Sequence, residues 1–416
     1  MKIYKFGGAS VKDSQAIKNL LKLLTSQDHG KLLIVISAMG KTTNAIEIIV
    51  KRYLEENKIP EELLKIQNSH LQIAGELFPD PSHPVYIKIT RLIEEIRNFL
   101  EHNKSNRYDY VYDQVVSYGE LLSTTIISEY LNSHNYKNTW LDSRKVIKTD
   151  STYRDAQVNW EETHKAIEKH INRDQIHITQ GFIASDADNF TTTLGREGSD
   201  YTAGIFAYCL NAESLSIWKD VPGVLNADPR EFTQTSLLNQ ISYEEAIELA
   251  FYGASVIHPK TLQPLQKKEI PLYVKSFIQP EGKGTSVMRG NRIEPQIPCF
   301  IVKKNLVLIS LSSLDFSFMV EENISEIFRL FHLYQMKVDL IQNSAISFSV
   351  CVDNRFNQLE KLIQHLKARF RVKYNTEVSL YTIRHFNDAA IASLEKNKEI
   401  LLKQITRDTV QLVTRN

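Results

Sequence analysis

Apolar and polar positions along the chain follow two regimes, and the change between them comes near residue 297. Before it, KIYKF is followed by helix-spaced apolar positions from Ala16 to Leu24, then by KLLIVIS and the helix-period stretch NAIEIIVKRYL. KLLIVIS is a short continuous apolar run between turn signals, which predicts a strand covered on both faces in a parallel sheet. Residues 51–105 are charged, helix-period and interrupted by Pro60 and the cluster PDPSHP, so they predict a helical insertion or lid. The earlier rhythm resumes with YDYVY as a strand, ELLSTTIISEYL as a helix, and QIHITQGFIAS and SLSIWKDV as strands. IPLYVKSF is expected to be the last strand of this unit, with EGKGTS as its polar, Gly-rich exit. Such alternation predicts an α/β fold with helices on both faces of the sheet.

Beyond residue 297, NLVLISLSS, ISEIFRLFHLYQM, VDLI, AISFSVCVD, LEKLIQHLKARF and RVKYN run in the order β-α-β-β-α-β, the ferredoxin-like pattern. VSLYTIRHF, a helix through Leu394 and TVQLVTR then supply strand, helix and strand, half of such a unit. The expected organisation is an α/β segment over 1–290 containing the 51–105 insertion, an α+β module over 297–377, and a partial second unit over 378–416.

Composition narrows the function classes. Lys plus Arg (50) nearly cancels Asp plus Glu (49), so no global field draws the protein to nucleic acid or an anionic membrane, and neither is an expected partner. Any anion must be held locally. Cys209, Cys299 and Cys351 are widely separated, with no C-x-x-C, which fits neither a disulfide framework nor a thiolate zinc site and suits a reducing compartment. No apolar leader precedes the first glycines, and no apolar run approaches the roughly 20 residues of a membrane span. The expectation is a soluble cytoplasmic protein.

Local chemistry concentrates at turns. MKIYKFGGASV ends a strand in Lys5 and two adjacent glycines, where positive φ and close approach of bare backbone to a ligand are both possible. GKTT at 40–43 lacks the Walker A glycine at Val35, and neither the dinucleotide fingerprint nor the protein-kinase motifs occur. In TTTLGREGSD, Ser199 is a plausible N-cap, Asp200 begins a helix whose N-terminus favours anions, and Arg196 offers a planar fork to a carboxylate or phosphate. An ordinary capped helix after a surface turn fits equally. Ser117 and Glu120 form a capping box in outline, or Glu120 receives a ligand ammonium group. Thr43 in SAMGKTTN is an N-cap or a substrate contact at the carboxyl end of a strand. Lys219, Asp220 and Arg230 in KDVPGVLNADPR are turn residues or a nucleotide-edge loop, and His258 is expected to be structural.

Taken in order, these stretches resemble the aspartate kinases, of the amino acid kinase fold. KFGGASV, SAMGKTTN, SYGELLS, LDSRKVIKTD, GFIAS, TTTLGREGSDYTA, IWKDVPGVLNADPR, YGASVIHPKT and IPLYVKSFIQPEGKGT follow that family's order across roughly 1–290. The C-terminal pattern resembles an ACT domain. The resemblance implies a carbamate kinase-like sheet sandwiched by helices, followed by an ACT module with a truncated second ACT unit. It implies phosphorylation of the side-chain carboxylate of L-aspartate by ATP with Mg²⁺, the entry step to lysine, threonine and methionine biosynthesis, and a homodimer through the ACT region. Its implied catalytic residues are Lys5 and Asp200. ATP would meet Lys5, Gly7, Gly8, Ser10, Lys219, Asp220 and Arg230; aspartate would meet Thr43, Glu120, Arg196 and Ser199. Mg²⁺ would be bound through ATP rather than by direct protein ligands.

The chain departs from the family pattern at several points. Ala9 stands beside the phosphate loop in place of threonine or serine, and Ser255 stands where many members carry lysine, so either one nucleotide-side cation is missing or Lys219 supplies it from a position where many relatives have threonine. In VDLIQNSAIS, Asp339 is a candidate regulatory residue, but Ala345 replaces an acidic residue of lysine-sensing relatives, which puts lysine inhibition in doubt. The alternatives are another amino acid kinase, disfavoured by Glu120, and a catalytically silent amino-acid sensor, disfavoured by intact Lys5, Arg196 and Asp200.

Overall fold

The structure is a computed structural model describing residues 1–26, 30–56, 58–254, 257–290, 292–315 and 317–415. It forms two compact units, one of Met1–Val224, Leu237–Ile247 and Ile257–Ile293, the other of Leu225–Ser236, Glu248–Val256 and Glu294–Asn416. Two short stretches inside the expected 1–290 segment thus belong with the second unit.

Up to Met288 the elements are β1 (Lys2–Phe6), α1 (Ser14–Ser26), β2 (Leu32–Ile36), α2 (Thr42–Glu56), α3 (Glu62–Leu77), α4 (Pro84–His102), α5 (Tyr108–Val116), α6 (Tyr118–Ser133), β3 (Thr139–Leu141), α7 (Trp160–His170), β4 (His177–Gln180), β5 (Ile183–Ser185), β6 (Thr191–Thr193), α8 (Gly198–Leu210), β7 (Ser214–Lys219), β8 (Gln240–Ser242), α9 (Tyr243–Tyr252), α10 (Pro259–Lys268), β9 (Leu272–Ser276) and β10 (Thr285–Met288). Eight strands make one sheet in the order β3-β4-β2-β1-β7-β9-β10-β8, parallel throughout except between β9 and β10. β2 is buried along its whole length, as its continuous apolar run requires, with helices flanking the sheet. The chain leaves β1 towards β2 on one side and returns to it through β7 on the other. That reversal of strand order makes the carboxyl end of β1 the place where open α/β sheets bind ligands.

Several sequence expectations change here. YDYVY is not a strand but the start of α5: its two-residue alternation is overridden by Val111, Tyr112, Val115 and Val116, which share a buried helical face. QIHITQGFIAS breaks at Phe182, whose φ is 71°, so β4 stays in the large sheet while β5 pairs antiparallel with β6. IPLYVKSF is not the last strand, because the Gly-rich exit runs into β10, which pairs back on β9. Residues 51–105 are no lid: Leu63, Ile66, Leu77, Ile89, Ile93 and Ile96 share one apolar core with Ile34 and Ile36.

The second unit contains β11 (Cys299–Ser313), α11 (Glu321–Leu333), β12 (Lys337–Asn343), β13 (Ser347–Asp353), α12 (Leu359–Lys367), β14 (Phe370–Arg384), α13 (Asp388–Glu395), β15 (Glu399–Ile405) and β16 (Thr409–Arg415). Its six strands lie in the antiparallel order β12-β13-β11-β14-β16-β15. RVKYN and VSLYTIRHF are one continuous strand, β14, and β11 is equally long. One half of each serves the βαββαβ module. The other halves, Cys299–Lys303 against Leu380–Arg384, join β16 and β15 beside α13. The segment expected as a partial second unit therefore takes part in a set of four strands and one helix, more than the strand, helix and strand expected. KEILLKQI escaped notice as β15 because, at the sheet edge, it lacks a clear apolar alternation. Cys209, Cys299 and Cys351 are buried, and among the described residues no helix is long and apolar enough to cross a membrane.

Candidate active site

The carboxyl ends of β1, β2 and β7 and the N-terminal turn of α8 enclose a cleft of about 650 Å³. β1 places Lys5 between Val35 of β2 and Ile217 of β7, and leaves its side chain 10 % exposed. The Nζ atom lies 2.6 Å from Oδ1 of Asp200 in the first turn of α8, and Lys219 Nζ, at the end of β7, lies 3.7 Å from Oδ2. Asp200 Oδ1 has this ion pair but no aligned hydrogen-bond donor among the described residues. Burial opposes ionisation of Asp200, but the charges of Lys5 and Lys219 outweigh it and hold its pKa below the ordinary carboxylate value. One carboxylate thus fixes two ammonium groups at the floor of the cleft.

Gly7 and Gly8 continue from β1 along the same wall. Positive φ is not what demands glycine here, since Gly7 has φ −79° and Gly8 is absent from the left-handed residues. The reason is close approach: a Cβ on Gly8 would lie 2.7 Å from the Ala38 carbonyl oxygen and 2.9 Å from that of Gly40, while the Gly40 N–H donates to the Gly8 carbonyl at 3.0 Å. The loop after β1 is therefore locked to the loop after β2. Ser10 is buried within the turn Gly8–Val11, its hydroxyl 3.5 Å from the Trp218 carbonyl of β7.

Glu120, Thr43, Ser199 and Arg196 line the same cleft. Glu120 makes no capping box. Ser117 has helical backbone angles and gives its hydroxyl to Gln114, while Glu120 Oε1 accepts the Ala38 N–H at 3.3 Å. Oε2 is buried without a hydrogen-bond partner among the described residues, and burial raises the pKa of the group to about 8, against the Ala38 N–H and the Lys5 charge. A buried carboxylate with a vacant oxygen suits an incoming cation. Ser199 is not an N-cap either. Glu197, with φ 53°, precedes the helix, its carboxylate accepting the His258 N–H at 2.9 Å, and Ser199 falls inside the first turn. Thr43 is the second residue of α2, and its neighbour Thr42 bonds the Met39 carbonyl. Arg196 is exposed, with no carboxylate within ion-pair distance among the described residues.

Asp220 also lines the cleft and is exposed. Arg230 belongs to the second unit, where it is exposed and forks onto Asp228 within its own turn at 2.6 Å. Ser255 lies outside the described residues. His258 is structural, as expected: its Nδ1 accepts the Lys260 N–H at the start of α10. Asp339, on β12 of the second unit, is 5 % exposed and paired with Lys303 at 2.7 Å and Lys337 at 3.9 Å. No group of three or more His, Cys, Asp or Glu side chains among the described residues is placed to hold a metal. Tyr112, Phe182 and Arg154 also line the cleft, and sequence reasoning missed them. Tyr112 was hidden by the strand assignment of YDYVY, and Arg154 carries no local signal in a polar loop.

Comparison with known proteins agrees with this geometry. The family model described as the amino acid kinase family matches residues 1–276. The chain is 32 % identical over 396 residues to lysine-sensitive aspartokinase 3 of Escherichia coli (strain K12), covering 92 % of this chain and 86 % of that protein. It is 28 % identical over 389 residues to the chloroplastic bifunctional aspartokinase/homoserine dehydrogenase of Daucus carota, covering 89 % of this chain but only 42 % of that longer protein. The crystal structure of E. coli aspartokinase III in complex with aspartate and ADP (R-state) superposes with a TM-score of 0.81 at 28 % identity, covering 100 % of this chain and 96 % of the other. With the motifs in order, the lysine pair on one buried aspartate and the shared fold, the chain belongs to the amino acid kinase family and, within it, to the aspartokinases.

Proposed function

We propose that this protein transfers the γ-phosphoryl group of ATP to the side-chain carboxylate of L-aspartate, giving 4-phospho-L-aspartate and ADP, the first step towards lysine, threonine and methionine. The observation that carries this reading is the Lys5–Asp200–Lys219 constellation, 2.6 and 3.7 Å across, in the same cleft as Glu120 and Arg196. The match to a structure holding aspartate and ADP supports it.

The attacking group is a carboxylate, already ionised at neutral pH, so no general base is needed. What must be overcome is the repulsion between that anion and a polyphosphate. A carboxylate oxygen forms a bond to the γ-phosphorus as the bond to the β,γ-bridging oxygen breaks, and the electron pair leaves on ADP. Lys5 stabilises charge on the transferring phosphoryl, and the Gly7 and Gly8 backbone, with Ser10 behind it, lies along its oxygens. Asp200 holds Lys5 and Lys219 in place. Lys219 and Asp220 serve the nucleotide side. Arg196 takes the substrate α-carboxylate, the vacant oxygen of Glu120 takes its ammonium group, and Thr43 and Ser199 take remaining polar atoms. Asp200 is already engaged by two ammonium groups, so the residues present fit Mg²⁺ held through ATP oxygens and water; there it would neutralise phosphate charge.

The same reading makes the protein cytoplasmic and a homodimer through the second unit, with Asp339 as its regulatory residue. Trapping the acyl phosphate with hydroxylamine across L-aspartate, L-glutamate and N-acetyl-L-glutamate tests the assignment. Turnover with L-aspartate alone is expected. Preference for either of the others would make it a different amino acid kinase, and no turnover with any of them would favour the silent sensor.

A further inference from the structure

Arg154 stands in the cleft wall together with Tyr112, Glu120 and Arg196. Its backbone has φ 68°, a left-handed conformation that non-glycine residues adopt at a cost and that clusters at functional positions. Asp113 holds it there. This fully buried carboxylate accepts the Arg154 N–H at 3.0 Å, and also the N–H and hydroxyl of Thr193, each at 2.8 Å, on the strand that leads into Arg196. One carboxylate from α5 therefore sets the spacing between the segments carrying the two arginines.

The side chain of Arg154 is positioned but not consumed. Its guanidinium carbon lies 4.5 Å from the centre of the Tyr112 ring and 5.2 Å from that of Tyr108, a stacked cation on two aromatic faces. Its carboxylate neighbours, Glu47 on α2 and Asp109 on α5, are at 3.6 and 3.7 Å, beyond hydrogen-bond length, and Glu47 Oε1 already accepts the Tyr108 hydroxyl at 3.0 Å. The side chain remains 41 % exposed. A guanidinium with stacked faces, loose ion pairs and no side-chain hydrogen bond among the described residues can turn its fork to a better carboxylate arriving in the cleft.

We propose that Arg154 is a specificity-determining residue, a second guanidinium at the amino-acid end of the cleft that grips a carboxylate of a dicarboxylic amino acid alongside Arg196. This rests on the proposed kinase function and names a residue that function does not require. It accounts for a left-handed arginine at a position where glycine would carry no strain.

Arg154→Gly removes the fork and relieves the backbone, so misfolding is not expected; Arg154→Lys keeps a charge but loses the planar fork. Steady-state kinetics with each substrate varied at saturating levels of the other, and calorimetric titration with L-aspartate, read the effect. The expected result for Arg154→Gly is a KM and Kd for aspartate raised about tenfold, as for loss of one charge-assisted hydrogen bond, with the KM for ATP unmoved and partial recovery in Arg154→Lys. Unchanged aspartate KM and Kd in Arg154→Gly would overturn the proposal, as would equal losses for both substrates. An inactive wild type would defeat the kinase assignment instead, and the calorimetric contrast between wild type and Arg154→Gly would still decide the role of Arg154.

Discussion

Lys5 Nζ on the first strand lies 2.6 Å from Oδ1 of Asp200 on α8, and both side chains are nearly buried. The sheet makes this contact by setting β1 between β2 and β7, while α8 packs against β1 and β7. Two buried opposite charges at this distance depend on each other, so removing one alone leaves the other uncompensated.

Lys5→Met is therefore expected to lower kcat by about 10²–10³, the usual loss for one preorganised charge in a transition state. It should also lower the melting temperature, because among the described residues Asp200 then keeps only the more distant Lys219. The double variant Lys5→Met/Asp200→Asn should recover stability without activity. Thermal melts and an ADP-release assay on the three proteins check this, and recovery of both properties would contradict the catalytic role.

The two adjacent glycines should respond differently to alanine. At Gly7 the nearest atom to a new Cβ is Lys5 Nζ at 3.5 Å, an ordinary contact, so Gly7→Ala should fold normally but crowd the catalytic ammonium group. At Gly8 the new Cβ would meet two backbone oxygens within 3 Å, so Gly8→Ala should cost about 1–3 kcal/mol in stability as well as activity. Denaturant unfolding of the two variants tells them apart.

Glu120 predicts a pH dependence whose sign follows from its burial. Its pKa is raised from 4.5 to about 8 in the folded protein, so between those values the folded state holds a proton that the unfolded chain has lost. Stability without substrate should fall as pH rises through this window, and Glu120→Gln should flatten the slope. Aspartate binding, which needs the carboxylate, should strengthen with pH up to about 8 and release a proton below it. Titrations in buffers of different ionisation enthalpy measure that proton.

Asp339 bears on regulation. Its carboxylate is already answered by Lys303 at 2.7 Å, so a free lysine ammonium group would have to displace an internal one. Lysine at millimolar concentration is expected to leave kinase activity unchanged. A feedback assay with lysine, threonine and both together reads this directly, and strong inhibition by lysine alone would show that Lys303 yields.

Sequence by itself determined the order of motifs, the family, the α/β and ferredoxin-like halves, and half of the residues that line the cleft. Those features are local: continuous apolar runs, glycines at strand ends and charged residues at helix starts carry their signal within a few positions. The tertiary structure decided what depends on contacts between distant segments. It made α5 a helix because one buried face outweighed a short alternation, and it replaced the capping role of Glu120 with a vacant buried oxygen. It gave Gly8 a packing reason rather than a conformational one. It also brought Arg154 to the wall through Asp113, a carboxylate from another helix whose hydrogen bonds no stretch of sequence announces. Burial and proximity arise only once the chain has closed on itself, and they set the charge state and the partners of each side chain in the cleft.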